Sequence, residues 1–105
     1  MNNKLLSLLG FARKAGKLSI GAAATKGSIL CKKAKLVVIS GEISQKSQKE
    51  IIFHADKYKV KTLLLEDIDI ITLSNAVGIK CGIVSVNDSS FAEALMKTRN
   101  TGGNV

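Results

Sequence analysis

The chain of 105 residues has no proline and no tryptophan, and its aromatic residues amount to three phenylalanines and one tyrosine. Without proline no rigid linker divides the chain, and no repeat or low-complexity run does so either. Length then predicts one domain over residues 1–99, with 100–105 as a frayed tail. Two cysteines, Cys31 and Cys81, are too few for a disulfide framework, and they lack the Cys-x-x-Cys spacing of a zinc site. The single histidine, His54, falls in a helical stretch with no nucleophile pattern near it, so the usual acid–base machinery of an enzyme is missing. No apolar run reaches the ~20 residues of a membrane span. The first residues, with Lys4, Arg13 and Lys14 breaking up a short apolar stretch, do not read as a signal peptide. The expected location is the cytoplasm, with reduced thiols, no membrane partner, no metal and no cofactor.

Acid is missing where base is plentiful. Between residues 1 and 41 there are eight cations and no carboxylate; residues 42–105 hold eight of each, so the net charge of +8 belongs to the first part of the chain. Such asymmetry attracts polyanions, of which RNA is the commonest in a cytosol, or else forms a lysine-rich solubility surface. Hydrophobic residues at 46% are enough for a packed core.

Leu5, Leu8, Leu9, Ala12 and Ala15 recur at helical spacing and predict a helix over 4–15, stopped by Gly16. Lys17–Ile20 alternates as a short strand. A helix over 21–33 follows, with Ile29 and Leu30 inward and Gly27 either a weak point or a place of close approach. The run Leu36-Val37-Val38-Ile39 reads as a strand covered on both faces. Ser44 or Ser47 caps the next helix, Ser47 with Glu50 matching a capping box, and Ile51, Ile52, Ala55 and Tyr58 form its buried stripe. Thr62–Leu65 reads as another buried strand. Glu66, Asp67 and Asp69 suit a helix start better than a metal site. That helix runs through Ile71, Leu73 and Ala76 to Gly78. Gly82–Val86 is the last strand. Asn87 or Asp88 opens the final helix, Ser90 with Glu93 matching a second box, and Phe91, Ala94 and Leu95 facing inward. This alternation predicts an α/β fold, a three-layer α-β-α sandwich around a four-stranded mixed sheet.

Gly10–Leu18 resembles a phosphate-binding loop only superficially. Five residues separate its glycines where four are needed, Leu18 follows Lys17 where Ser or Thr is needed, and the segment ends a helix instead of following a strand. Phe11, Phe53, Tyr58 and Phe91 read as packing residues, which excludes a base-stacking platform. RNA, if bound, is then met by loops, helix N-termini and basic side chains.

The segment Leu5-Leu6-Ser7-Leu8-Leu9-Gly10-Phe11-Ala12-Arg13-Lys14-Ala15-Gly16-Lys17-Leu18-Ser19-Ile20-Gly21 closely resembles the opening of small bacterial proteins of the YlxQ type. These are members of the kink-turn RNA-binding ribosomal protein superfamily of L7Ae and L30e. Lys33–Ser40, Leu73–Gly78, Val84–Asp88 and Phe91–Ala94 resemble later family segments in the same order, so the likeness spans about residues 4–96. It implies a non-enzymatic, ribosomal-protein-like binder of structured RNA, with ribosomal RNA and the ribosome as partners and a monomer as the working form. It places the RNA on three loops. The first comprises Gly21, Ala22, Ala23, Ala24, Thr25, Lys26 and Gly27. The second is Ser40–Ser44, with Glu42. The third runs from Gly78 through Ile79, Lys80, Cys81 and Gly82 to Ile83. Kink-turn readers of the family carry Gly-x-Asn-Glu-x-x-Lys at the second helix start. Here Ala23, Ala24 and Gly27 occupy the Asn, Glu and Lys positions, and Lys26 is about 100° away around the helix.

Topology also predicts a second basic cluster. Arg13, Lys14 and Lys17 precede the first strand, Lys32, Lys33 and Lys35 the second, and Lys61 the third. All seven should lie at the end of the sheet away from the RNA loops, as a second polyanion contact or as solvated helix ends. Two other functions stay open: a protein-interaction or scaffold module of the same fold, and a small nucleotide-binding enzyme.

Overall fold

A computed structural model describes residues 3–103. The chain folds as α1 (Asn3–Lys14), β1 (Leu18–Ile20), α2 (Ala22–Leu30), β2 (Leu36–Ser40), α3 (Gln45–Lys57), β3 (Lys61–Leu65), α4 (Ile70–Val77), β4 (Ile83–Val86) and α5 (Ser89–Gly103). The strands form one sheet in the order β1-β4-β2-β3. β2 and β3 are parallel, and β4 runs antiparallel to both of its neighbours, β1 and β2.

Side chains alternate across a strand, so β2 feeds two cores. Leu36 and Val38 join Val84 and Val86 under α1, α4 and α5, where Leu5, Leu9, Leu73, Val77 and Leu95 pack. Val37 and Ile39 join Ile83 under α2 and α3, where Ile29, Ile51 and Ala55 pack. This is the expected three-layer α-β-α sandwich. Each fully buried Leu, Ile or Val contributes about 1.5–3 kcal/mol of transfer free energy. All five β2 residues are buried, which explains the uninterrupted apolar run. Hydroxyls inside the sandwich are mostly satisfied: Ser85 Oγ donates to Asn87 Oδ1 (2.8 Å), and Asn87 Nδ2 donates to Ser19 Oγ (2.9 Å), which also meets Ser28 Oγ.

Several expectations change. β3 is an edge strand, so Thr62, Leu63 and Leu64 are only half-buried. Phe11 and Phe53 are exposed, because each falls two residues, about 200° of helix, from its neighbours Leu9 and Ile51 in the buried stripe. α2 ends at Leu30, which is exposed, as are Ile71 and Cys31. A Cβ on Gly27 would meet open space, so no close approach explains that glycine. Ser44 is the α3 N-cap, accepting from the Ser47 N–H, and Ser47 lies inside the helix and forms no box of its own. Asp88 serves the same purpose for α5 by accepting from the Phe91 N–H. α5 extends to Gly103, into the stretch expected as a tail; residues 104–105 of that stretch lie outside the described residues.

Candidate nucleic-acid interface

Register fixes which loops meet. Ile20 pairs with Val84, Ile39 with Ile83, and Ser40 with Leu65 at one end of the sheet. Beyond that row the Gly21 N–H donates to the Ile83 carbonyl (2.8 Å), the Ser40 N–H to Gly82 (2.8 Å), and the Gly41 N–H to Leu65 (2.9 Å). The first expected loop, the second, and the Gly82 end of the third therefore share one surface. Two glycines permit the crowding. A Cβ on Gly41 would lie 2.6 Å from the Glu66 carbonyl oxygen, and one on Gly82 would collide with the Ile43 side chain.

At this end α2 begins without a side-chain cap. Gly21 holds φ 97° and ψ 163°, a conformation open to glycine and costly for other residues. The backbone N–H groups of Ala22, Ala23 and Ala24 form the first turn, at the positive end of the helix dipole. All three alanines are exposed. Ala22, Ala23 and Lys26 line a cleft of about 200 Å³ against Ser47, Glu50 and Ile51 of α3.

Not every expected site residue is available. Thr25, Cys81 and Ile83 are buried, because they face the sandwich interior and not the loop surface. Burial pushes the Cys81 thiol pKa up, an effect partly offset by the nearby Arg13 charge. Glu42 is exposed, but its carboxylate is engaged: Oε1 accepts from the Ile70 N–H at 2.7 Å, the first residue of α4. Gly78, Ile79 and Lys80 are exposed. They sit at the far end of α4, about 12 Å of helix from Ile70. The segment that follows is held on α4 by Ser74, whose hydroxyl accepts from the Cys81 N–H and donates to its carbonyl.

Of the seven cations expected at the opposite end of the sheet, Arg13 reaches the other way: its Nη1 donates to the Val77 carbonyl at 3.2 Å and would lie 3.0 Å from a Cβ on Gly78. Its long side chain reaches across the α1–α4 contact and places a cation beside the third loop. At the other end of the sheet Leu18 pairs with Val86, and Leu36 pairs with Val86 and Lys61. Lys17, Lys35 and Lys61 share that end of the sheet, with the Lys17 carbonyl accepting from the Asn87 N–H and the Lys35 N–H donating to the Val86 carbonyl. Lys32 and Lys35 line a cavity of about 540 Å³ with Ala34, Lys57, Tyr58 and Lys59. Lys14 and Lys33 are exposed at the ends of α1 and α2. Sequence reasoning missed Lys57 and Lys59, although both precede β3, whose first residue is Lys61, and the same topological rule finds them. Among the described residues no group of three or more His, Cys, Asp and Glu side chains converges on a metal-sized site, and no helix is long and apolar enough to cross a membrane.

A mixed sheet between two helix layers, with an uncapped helix start between loops at one end, defines a recognisable class of small α/β sandwich. Residues 3–96 match the Ribosomal protein L7Ae/L30e/S12e/Gadd45 family, and the chain belongs to it. Similar solved structures include a protein of unknown function from Bacillus halodurans C, 23% identical, covering 90% of this chain and 94% of that one, with a TM-score of 0.84. They also include the Giardia lamblia 15.5kD RNA binding protein, 14% identical, covering 92% and 86%, with a TM-score of 0.73. At these identities the likeness is one of fold. The comparison with curated proteins found no match.

Proposed function

We propose that the chain is a non-enzymatic binder of structured RNA that uses the first turn of α2, the Gly41–Ser44 loop and the Gly78–Lys80 turn. The observation that carries this reading is the uncapped α2 N-terminus. It shares a sheet end with the second loop, and Lys26, Lys80 and Arg13 supply cations at α2 and at the far end of α4. A phosphate oxygen can accept from the Ala22–Ala24 N–H groups while those cations neutralise its neighbours. The family, and the RNA binding of the Giardia neighbour, support the same reading. Ribosomal RNA is the proposed partner class, and a cytoplasmic monomer the proposed working form. Kink-turn geometry is the proposed target shape.

The side chains that would read guanine edges are absent at Ala23, Ala24 and Gly27, so affinity rests mainly on phosphate neutralisation. Filter binding of a kink-turn hairpin between 50 and 200 mM salt tests this. The logarithm of affinity should fall by several units per unit of log salt. Tight, sequence-selective binding with a flat salt response would overturn it. A graft tests the geometry. Ala23→Asn, Ala24→Glu and Gly27→Lys together should strengthen hairpin binding by more than ~2 kcal/mol, because the Gly27 position opens to free space. The alanines also favour a second reading, a protein-interaction module on the same fold. No hairpin binding at low salt, with or without the graft, would leave that one standing.

A further inference from the structure

We propose that the lysine-walled cavity at the opposite end of the sheet is a second RNA-phosphate site, so that one molecule holds two RNA segments at once. The proposal rests on the RNA-binding reading above, but its site and its test are separate. The cavity is lined by Lys32, Ala34, Lys35, Lys57, Tyr58 and Lys59, with no carboxylate in its wall.

Solvated helix ends explain only part of this arrangement. Lys57 is the last residue of α3, and a cation there suits the helix dipole. Lys32 and Lys59 are different, because each sits just past a helix end with a left-handed backbone, φ 65° and 61°. These are the two non-glycine residues with positive φ among those described. Both close the same terminal motif. The Lys32 N–H donates to Ile29 and the Lys33 N–H to Ser28; the Lys59 N–H donates to Asp56 and the Val60 N–H to Ala55. α1 ends in the same motif with Gly16 at φ 72°, the residue such a position prefers. Two of three equivalent helix ends therefore carry lysine where glycine is easier, and those two face one cavity. Lys35 belongs to no helix end at all; it leads into β2.

Charge decides what fits. Four ammonium groups outweigh the two helix C-termini beside them, which carry roughly −0.5 of a charge each and whose carbonyls are already engaged. A ligand with several anionic groups is required, and a duplex phosphate backbone presents them in a row. The half-buried Tyr58, packed against the core under α2 and α3, completes the wall. About 15 Å of strand separate this row from the loop end, so a single phosphate run cannot occupy both sites without bending around the molecule.

The probe is a blunt RNA duplex of ~16 base pairs with no internal loop. Its affinity for the unmodified protein is read by anisotropy, and its position by a small ¹⁹F tag on Cys31, the exposed thiol next to Lys32. The duplex should shift the tag. Lys35→Gln with Lys57→Gln should weaken duplex binding at least tenfold and lower the salt slope by about two units. Lys35→Arg with Lys57→Arg should keep both. Unchanged affinity and slope in the glutamine pair would overturn the proposal. So would a tag that ignores the duplex at low salt, or one that responds to a polyglutamate peptide and not to RNA, which would make the cavity a protein-docking site. Failure of the loop-end reading shows elsewhere, as hairpin binding indifferent to Lys26→Gln with Lys80→Gln.

Discussion

Thr25 buries a hydroxyl that finds no hydrogen-bond partner, in an otherwise well-satisfied interior. An unpaired hydroxyl in an apolar setting costs roughly 1–3 kcal/mol. Thr25→Val keeps the shape and removes the penalty, so it should stabilise the fold by about 1 kcal/mol, or 4–8 °C in Tm, as read by urea and thermal unfolding. The two thiols give a second check at this scale. Cys31 is exposed, whereas Cys81 is buried with its pKa pushed up by desolvation. A thiol reagent should modify Cys31 in the native protein and reach Cys81 only on unfolding. Neither contrast was legible in the sequence. Thr25 lies on the buried α2 stripe with Ser28 and Ile29, but its hydroxyl hides that from an apolar pattern, and Cys31 is the C-cap just past the helix, where the stripe no longer applies.

Elements were easier to read than residues, for a physical reason. Leu36–Ile39 needs two apolar layers, so its run of four apolar residues reveals a central strand without further information. β3 carries a similar run and is nevertheless an edge, because strand order depends on pairing across the whole chain. Caps were ambiguous for the same local reason: Ser44 and Ser47 both qualify, and chain geometry selects Ser44. The start of α4 is the best-defended element boundary. Asp69 accepts from the Thr72 N–H at 2.7 Å, and Glu42 accepts from the Ile70 N–H. The Thr72 side chain, then its N–H, hold the Asp69 carboxyl below its ordinary value of 3.8. A lowered folded pKa means the folded state binds the proton less readily. The stabilisation is therefore complete above the ordinary value and fades as pH falls below it. Asp69→Asn should lower the urea midpoint at pH 6, and the difference should close by pH 2. At the neighbouring loop, Gly41→Ala should destabilise by about 2–3 kcal/mol, because the Glu66 backbone it meets cannot swing aside.

At the scale of the molecule, the candidate site was legible as a place and not as a set of contacts. Loop ends follow from strand direction, which the βα alternation suggests for the co-directional β1, β2 and β3 but not for the antiparallel β4; the reach of Arg13 to Val77 follows from how α1 crosses α4, which the alternation does not give either. Lys26, Lys80 and Arg13 lie toward the loop side and Lys32, Lys35, Lys57 and Lys59 around the cavity at the other end of the sheet, and each group should respond separately to salt and to charge removal. The sheet order has one more consequence. β4 lies between β1 and β2, so one of the two inner strands is the last to be synthesised. While a nascent chain lacks residues 83–86, β1 has no hydrogen-bond partner and the parallel pair of β2 and β3 is all the sheet that can form. Synthesis at ~5–20 residues per second keeps Leu5 and Leu9 of α1 uncovered for several seconds. Chains stalled before Ile83 should be cut by protease along their whole emerged length, and resistance should arrive in one step once β4 is free. With no proline in the chain, no slow prolyl isomerisation delays that step.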